Sequence, residues 1–242
     1  NYLFAFDYNK LIDLRYTYGP LGFLKVPVAI EHNFTIALLT YNLLKGFFVY
    51  QLLQLGKKYL TYIAYLLVFI LGYFISIDQA IVGLVAVMCI GYFEYKRIIH
   101  YIVAVLISLL GFYIKPQIGI NCFAMLFVLV ALVTMREKNL RLTLRLIILG
   151  LVFIVCSSAL IGHSVFYFFD FLYASLRLSS EYSSSLSLFP NNNWILLSMY
   201  IASVLSIPFI LKKEYRNRSF LLIPVLFFTW KYGCLLYTSD AA

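Results

Sequence analysis

The sequence predicts an all-α fold: a polytopic transmembrane helix bundle with about eight spans and an interfacial helix on the outer side. Composition is the first reason. Of 242 residues, 63% are hydrophobic and only 12% are charged, and the mean hydropathy is +0.91. A soluble domain carries about 25% charged residues, so this chain has too few polar groups to cover a water-facing surface. Apolar runs near span length recur along the chain, and the basic residues cluster on alternate connections between them. The net charge of +9 therefore reports topology, and nucleic acid is not an expected partner.

Taken in order, residues 1–33 form an outer loop and residues 34–162 a six-span bundle. The predicted spans lie near 34–54, 59–77, 79–94, 98–114, 117–135 and 142–162. Residues 163–193 form a second outer loop, and 194–233 hold two further spans near 194–211 and 219–233, the last of them cut short. The tail "CLLYTSDAA" (234–242) is residue for residue what a transposase sequencing adapter encodes, so it reads as non-biological and the chain as a fragment truncated at both ends.

The connections fix the orientation. Lys57 and Lys58, Lys96 and Arg97, then Arg136, Lys138, Arg141 and Arg145, then Lys212, Lys213, Arg216 and Arg218 make up 12 of the 19 basic residues. All fall on every second connection. The intervening "SIDQ" (76–79), "YIKPQ" (113–117) and 163–193 loop hold only Lys115 and Arg177. The positive-inside rule then places the basic set in the cytoplasm, with residues 1–33 and 163–193 outside.

The outer face gathers most of the acidic groups. In "FDYNKLIDLRY", Asp7 and Asp13 flank Lys10 and precede Arg15. A carboxylate there can act as general base toward a sugar hydroxyl; equally, Asp7 can cap a short helix and Asp13 can pair with Lys10 or Arg15. Lys115, ahead of a helix-starting Pro116, suits a lipid phosphate with Gln117 as hydrogen-bond donor, or a snorkelling anchor. Asp78 is expected to cap the span that follows it. Lys45 lies mid-run, where a charge costs at least about 2.5 kcal/mol, so it faces the bundle interior or marks a break near the inner end. Asp170, Arg177 and Glu181 fall on one face of an aromatic-rich stretch, as an interfacial helix requires; Arg177 and Glu181 either bind an anionic head group or pair with each other.

Other chemistry is missing from the sequence pattern. Cys89, Cys122 and Cys156 sit in apolar runs and read as small core residues. His32, His100 and His163 are far apart and form no metal motif, and no Walker, GxGxxG, GxSxG or HExxH pattern occurs. The 22 Phe and 21 Tyr are expected to face lipid or the interface.

Two stretches carry a resemblance. "YTYGPLGFL" (16–24) looks like the "FTYGPLGFL" signature in the first outer loop of a bacterial family of polytopic membrane proteins. "SLRLSSEYS" (175–183) resembles that family's "SLEISSGYS", with Arg177 in place of an acidic residue and Glu181 in place of glycine. The family is in turn similar to the C-type glycosyltransferase superfamily, and the "KPQ" of 115–117 is similar to a motif of its polyprenyl-phosphomannose-dependent branch.

The resemblance implies a membrane glycosyltransferase that moves a sugar from a polyprenyl-phosphate carrier to a cell-envelope acceptor. It places the essential carboxylate in the first outer loop, hence Asp7 or Asp13, with Lys115, Arg15 and Gln117 holding the lipid phosphate and Tyr18, Gly19 and Pro20 walling the pocket. The lipid-phosphate sugar is then a substrate, and no cofactor is implied. A transporter or flippase built around Lys45 is the alternative, and a surface-polymer polymerase or ligase using the 163–193 loop is a third.

Overall fold

Helix boundaries follow the polar punctuation. A computed structural model describes residues 21, 24, 32–56, 72, 75–160, 166, 168–174, 177, 202, 220 and 223, and no strand occurs among them. Five helices are complete: α1 (Asn33–Gly56), α2 (Ile77–Tyr95), α3 (Ile98–Ile114), α4 (Pro116–Glu137) and α5 (Leu140–Leu160). They match the predicted spans at 34–54, 79–94, 98–114, 117–135 and 142–162. Four of the five, α1, α2, α4 and α5, are long and apolar enough to cross a membrane, and α3 is shorter at 17 residues. At 1.5 Å per residue, α3 is about 25 Å long, close to the minimum for a hydrocarbon core. The predicted spans at 59–77, 194–211 and 219–233 and the tail lie wholly or largely outside the described residues.

α2, α3 and α4 each stop for a local reason. Lys96 and Lys138 follow α2 and α4 in the left-handed conformation, with φ of 57° and 48°. Their backbone N–H groups close onto Tyr92 O and Thr134 O at 2.9 Å. Glycine usually takes this cap, because a Cβ costs about 1–2 kcal/mol there. A lysine at the same place sets its positive charge beside the negative end of the helix dipole, which offsets part of that cost. At the other end of the bundle, α3 and α4 are joined by Lys115 alone, extended at φ −151°, with Pro116 opening α4 where no N–H is needed.

The start of α2 corrects one expectation. The cap is Ser76, not Asp78: Ser76 Oγ accepts the Gln79 N–H, and the Ser76 N–H donates back to the Gln79 side chain at 3.0 Å. The Ser-x-x-Gln spacing makes both bonds at once, which an aspartate two residues later cannot do. Asp78 is instead inside the first turn and fully buried. Replacing Ser76 with Ala is expected to cost about 1 kcal/mol, read as a lower midpoint in thermal unfolding of the detergent-solubilised chain.

α2 is the centre of the bundle. It packs on α1, α3 and α4, while α3 and α4 also pack on each other and on α5. Of its most apolar stretch 78% is buried, against 11% for α1 and 17% for α5, so among the described spans α1 and α5 carry most of the exposed apolar surface. Leu43, Leu39, Ile148 and Leu151 lie on that surface. So does Cys156, which is exposed rather than a core residue; Cys89 and Cys122 are buried free thiols, as the apolar runs predict.

α1 and α2 run parallel. Tyr41 donates its hydroxyl to Ile75 O at 3.3 Å near their starts, and Phe48 lies against Gly83 midway, where a Cβ would stand 2.7 Å from the ring. The alternation of basic connections predicts this direction for both helices.

Candidate functional site

The bundle has two chemically distinct ends. The basic end holds the α2–α3 and α4–α5 connections. There Lys96 pairs with Glu137, and the Arg136 guanidinium lies 4.8 Å from the Phe93 ring centroid. These contacts tie the two hairpins together and occupy two of the cations of that end.

At the opposite end the sequence motifs converge. The N–H of Leu21, within "YGPLGFL", donates to the Tyr113 carbonyl at 2.9 Å. Leu24 reaches into the core and is buried. Leu21 is thus hydrogen-bonded to the last turn of α3, two residues from Lys115. Lys115 and Gln117 are both half-buried. The Lys115 carbonyl accepts Ile118 N–H at 2.9 Å, and the Gln117 carbonyl accepts the Asn121 amide at 2.8 Å. The backbone of this turn is therefore committed to the helix start.

Three further elements meet the same turn. Tyr113 shares a hydrogen bond of 3.1 Å with Ser157 near the end of α5. Phe168, buried in the 168–174 helical stretch, stacks on Phe112 with centroids 4.4 Å apart. Ile81 packs where Gly111 has no side chain, so Asp78, one turn earlier on α2, sits at this end too. A fully buried carboxylate thus joins the acidic groups expected of this face.

Of the predicted site residues, the structure describes Lys115 and Gln117; Leu21, which follows Pro20 in the sequence, bonds to Tyr113, two residues before Lys115. Asp7, Asp13, Arg15, Tyr18, Gly19 and Pro20 lie outside the described residues, as does Glu181. Within the predicted interfacial helix, residues 168–174 are helical and Asp170 is exposed, with Phe168 directed to the core. Among the described residues no three His, Cys, Asp or Glu side chains group as metal ligands.

Lys45 gains a location. Its ammonium lies 4.2 Å from the Tyr41 ring centroid, one turn back along α1. A cation over an aromatic face is worth about 0.5–2 kcal/mol, more as water is removed, and so offsets part of the cost of a charge at that depth.

The sequence reading missed a polar cleft at the basic end, between α1, α2 and the start of α3. Its residues come from three separate stretches, 50–54, 87–95 and 97–100, and no local spacing announces it. No protein-family model matches this chain, and neither the curated proteins nor the solved structures contain a match to it.

Proposed function

We propose that the chain is a multi-pass bacterial plasma membrane protein of about eight spans, which transfers a sugar from a polyprenyl-phosphate carrier to a cell-envelope acceptor on the outer face. In this reading the basic connections are cytoplasmic and the Lys115 end faces outward. The observation that carries it is the Leu21 N–H to Tyr113 carbonyl bond of 2.9 Å, which sets Leu21 of the signature stretch two residues from Lys115-Pro116-Gln117. Two segments more than ninety residues apart, each resembling part of the same enzyme type, meet at one place.

The chemistry follows from charge. A polyprenyl phosphate leaving a sugar carbon develops negative charge on its oxygens. Lys115, held on an extended single-residue turn, supplies a fixed cation for that charge, with Arg15 and Gln117 as further donors. Asp13 or Asp7 takes the proton of the acceptor hydroxyl as it attacks. Tyr18, Gly19 and Pro20 wall the pocket next to the docked Leu21.

Membranes carrying the chain, supplied with a radiolabelled polyprenyl-phosphate sugar, test the assignment. Lys115→Ala is expected to lower turnover by about a hundredfold, the usual cost of one electrostatic donor. Asp7→Asn or Asp13→Asn should do the same or more, whichever is the base. Unchanged turnover in all three variants overturns these roles.

Transport is the second reading, favoured by the charge of Lys45 within α1. It predicts movement of the lipid-linked sugar across the bilayer without transfer, and the same membranes distinguish the two by whether label reaches an acceptor.

A further inference from the structure

The cleft at the basic end has a volume of about 270 Å³. Tyr50, Gln51 and Gln54 of α1, Tyr95 of α2, and Arg97 and His100 at the start of α3 form its polar lining. Buried Val87 and Gly91 complete the wall. Among the described residues the lining contains a guanidinium, an imidazole, two amides and two phenols, and no carboxylate. Every one of these groups can donate a hydrogen bond, and the guanidinium carries a fixed positive charge.

The imidazole is held in place. His100 stacks on Tyr95 with centroids 6.0 Å apart, and its Nδ1 lies 3.4 Å from the Arg97 carbonyl. Its ring occupies the space that glycine leaves at position 91, where a Cβ would stand 2.7 Å from Cδ2. Of the neighbouring cations, Lys96 is paired with Glu137 and Arg136 covers Phe93, whereas Arg97 lines the cleft. Toward the bundle centre, Phe48 against Gly83 fills the seam between α1 and α2. Beside the cleft, Ile98 and Ile99 are exposed apolar side chains, suited to acyl chains.

We propose that this recess binds the phosphate group of an anionic ligand at head-group level, an anionic phospholipid and free phosphate being the two sources of that chemistry. A paired arginine and imidazole match a phosphate oxygen set, and basic recesses between spans take acidic lipid head groups. The volume is just under the roughly 300 Å³ of the smallest ordinary ligand pockets, which fits a head group and not a whole lipid-linked sugar. Placing it in the inner leaflet rests on the topology proposed above; the binding itself does not, and it is independent of sugar transfer.

The full chain in maltoside micelles, titrated with phosphatidylglycerol or phosphatidylcholine and read by native mass spectrometry, tests the site. Phosphatidylglycerol is expected to bind about tenfold tighter, and Arg97→Gln with His100→Gln to remove that preference. Gln54→Leu, which leaves the charge unchanged, should weaken binding about threefold. Arg141→Gln, at the same end but outside the cleft, should change it by less than about twofold. Displacement of the bound lipid by excess inorganic phosphate supports the site as one for free phosphate, and its retention supports the site as one for the lipid head group. Equal binding of the two lipids by the wild-type chain, or equal losses from Arg97→Gln and Arg141→Gln, overturns the proposal.

Discussion

Gly119→Ala is expected to destabilise the bundle more than any other single-methyl change in α3 or α4, while the same substitution at Gly46 stabilises it. At position 119 an added Cβ would stand 2.7 Å from the Phe112 backbone nitrogen, and closer still to the Phe112 Cα and Cβ. These are backbone and first-carbon atoms, so no rotamer change relieves the clash. The two helices would have to separate, and the single-residue Lys115 connection gives them no slack. Overpacking of this kind costs about 3 kcal/mol or more, against about 1 kcal/mol gained when alanine replaces glycine in a helix, so the net loss is about 2 kcal/mol or greater. Gly46 has nothing within 4 Å of its added Cβ, which leaves only the gain of about 0.5–1 kcal/mol. Thermal unfolding of both variants in one detergent gives the comparison, and like signs at the two glycines would refute it. Close approach of small residues is also how helices associate where lipid removes the usual hydrophobic drive.

The parts of this fold that were legible in the sequence are those that a bilayer dictates. Apolar runs of fixed minimum length, stopped by charges, place α3 at 98–114 as expected and the other helices within about two residues at nearly every end. Packing partners are another matter. The apolar faces of α1 and α2 look alike in hydropathy, yet α2 is core and α1 is mostly open to lipid, because a residue's preference for hydrocarbon does not distinguish a neighbouring helix from an acyl chain. The Ser76 cap was readable from the Ser-x-x-Gln spacing, and the Tyr41–Lys45 contact from its four-residue separation. Neither the cleft nor the docking of Leu21 on Tyr113 was readable, since each joins residues from distant stretches that share no period. For the candidate site, then, the sequence named Lys115, and the fold supplied the Leu21 bond to Tyr113 two residues away.

Phe112→Ala is the second large effect, expected to cost about 3 kcal/mol and to loosen the Lys115 end as a whole. Phe112 is fully buried, with the Phe168, Phe171, Phe123 and Tyr113 rings around it at centroid distances of 4.4, 5.4, 6.1 and 5.6 Å. In a soluble core, truncating such a residue costs about 3–5 kcal/mol, part of it transfer from water. Lipid lowers that transfer part but leaves the lost dispersion contacts and the ring-edge geometry, which are each worth about 0.5–1.5 kcal/mol per aromatic pair. Phe127→Ala, on an exposed apolar position of α4, should change stability by less than about 0.5 kcal/mol. The consequence for function follows from position. Phe112 anchors the 168–174 stretch to α3, and the next carbonyl along, that of Tyr113, holds Leu21. Removing the ring should therefore expose the amides around Tyr113 and Lys115 to hydrogen exchange well before the amides of α2 near Tyr92 respond. Uniform acceleration along α2 and α3 would mean that Phe112 supports the whole bundle and does not specifically anchor this end.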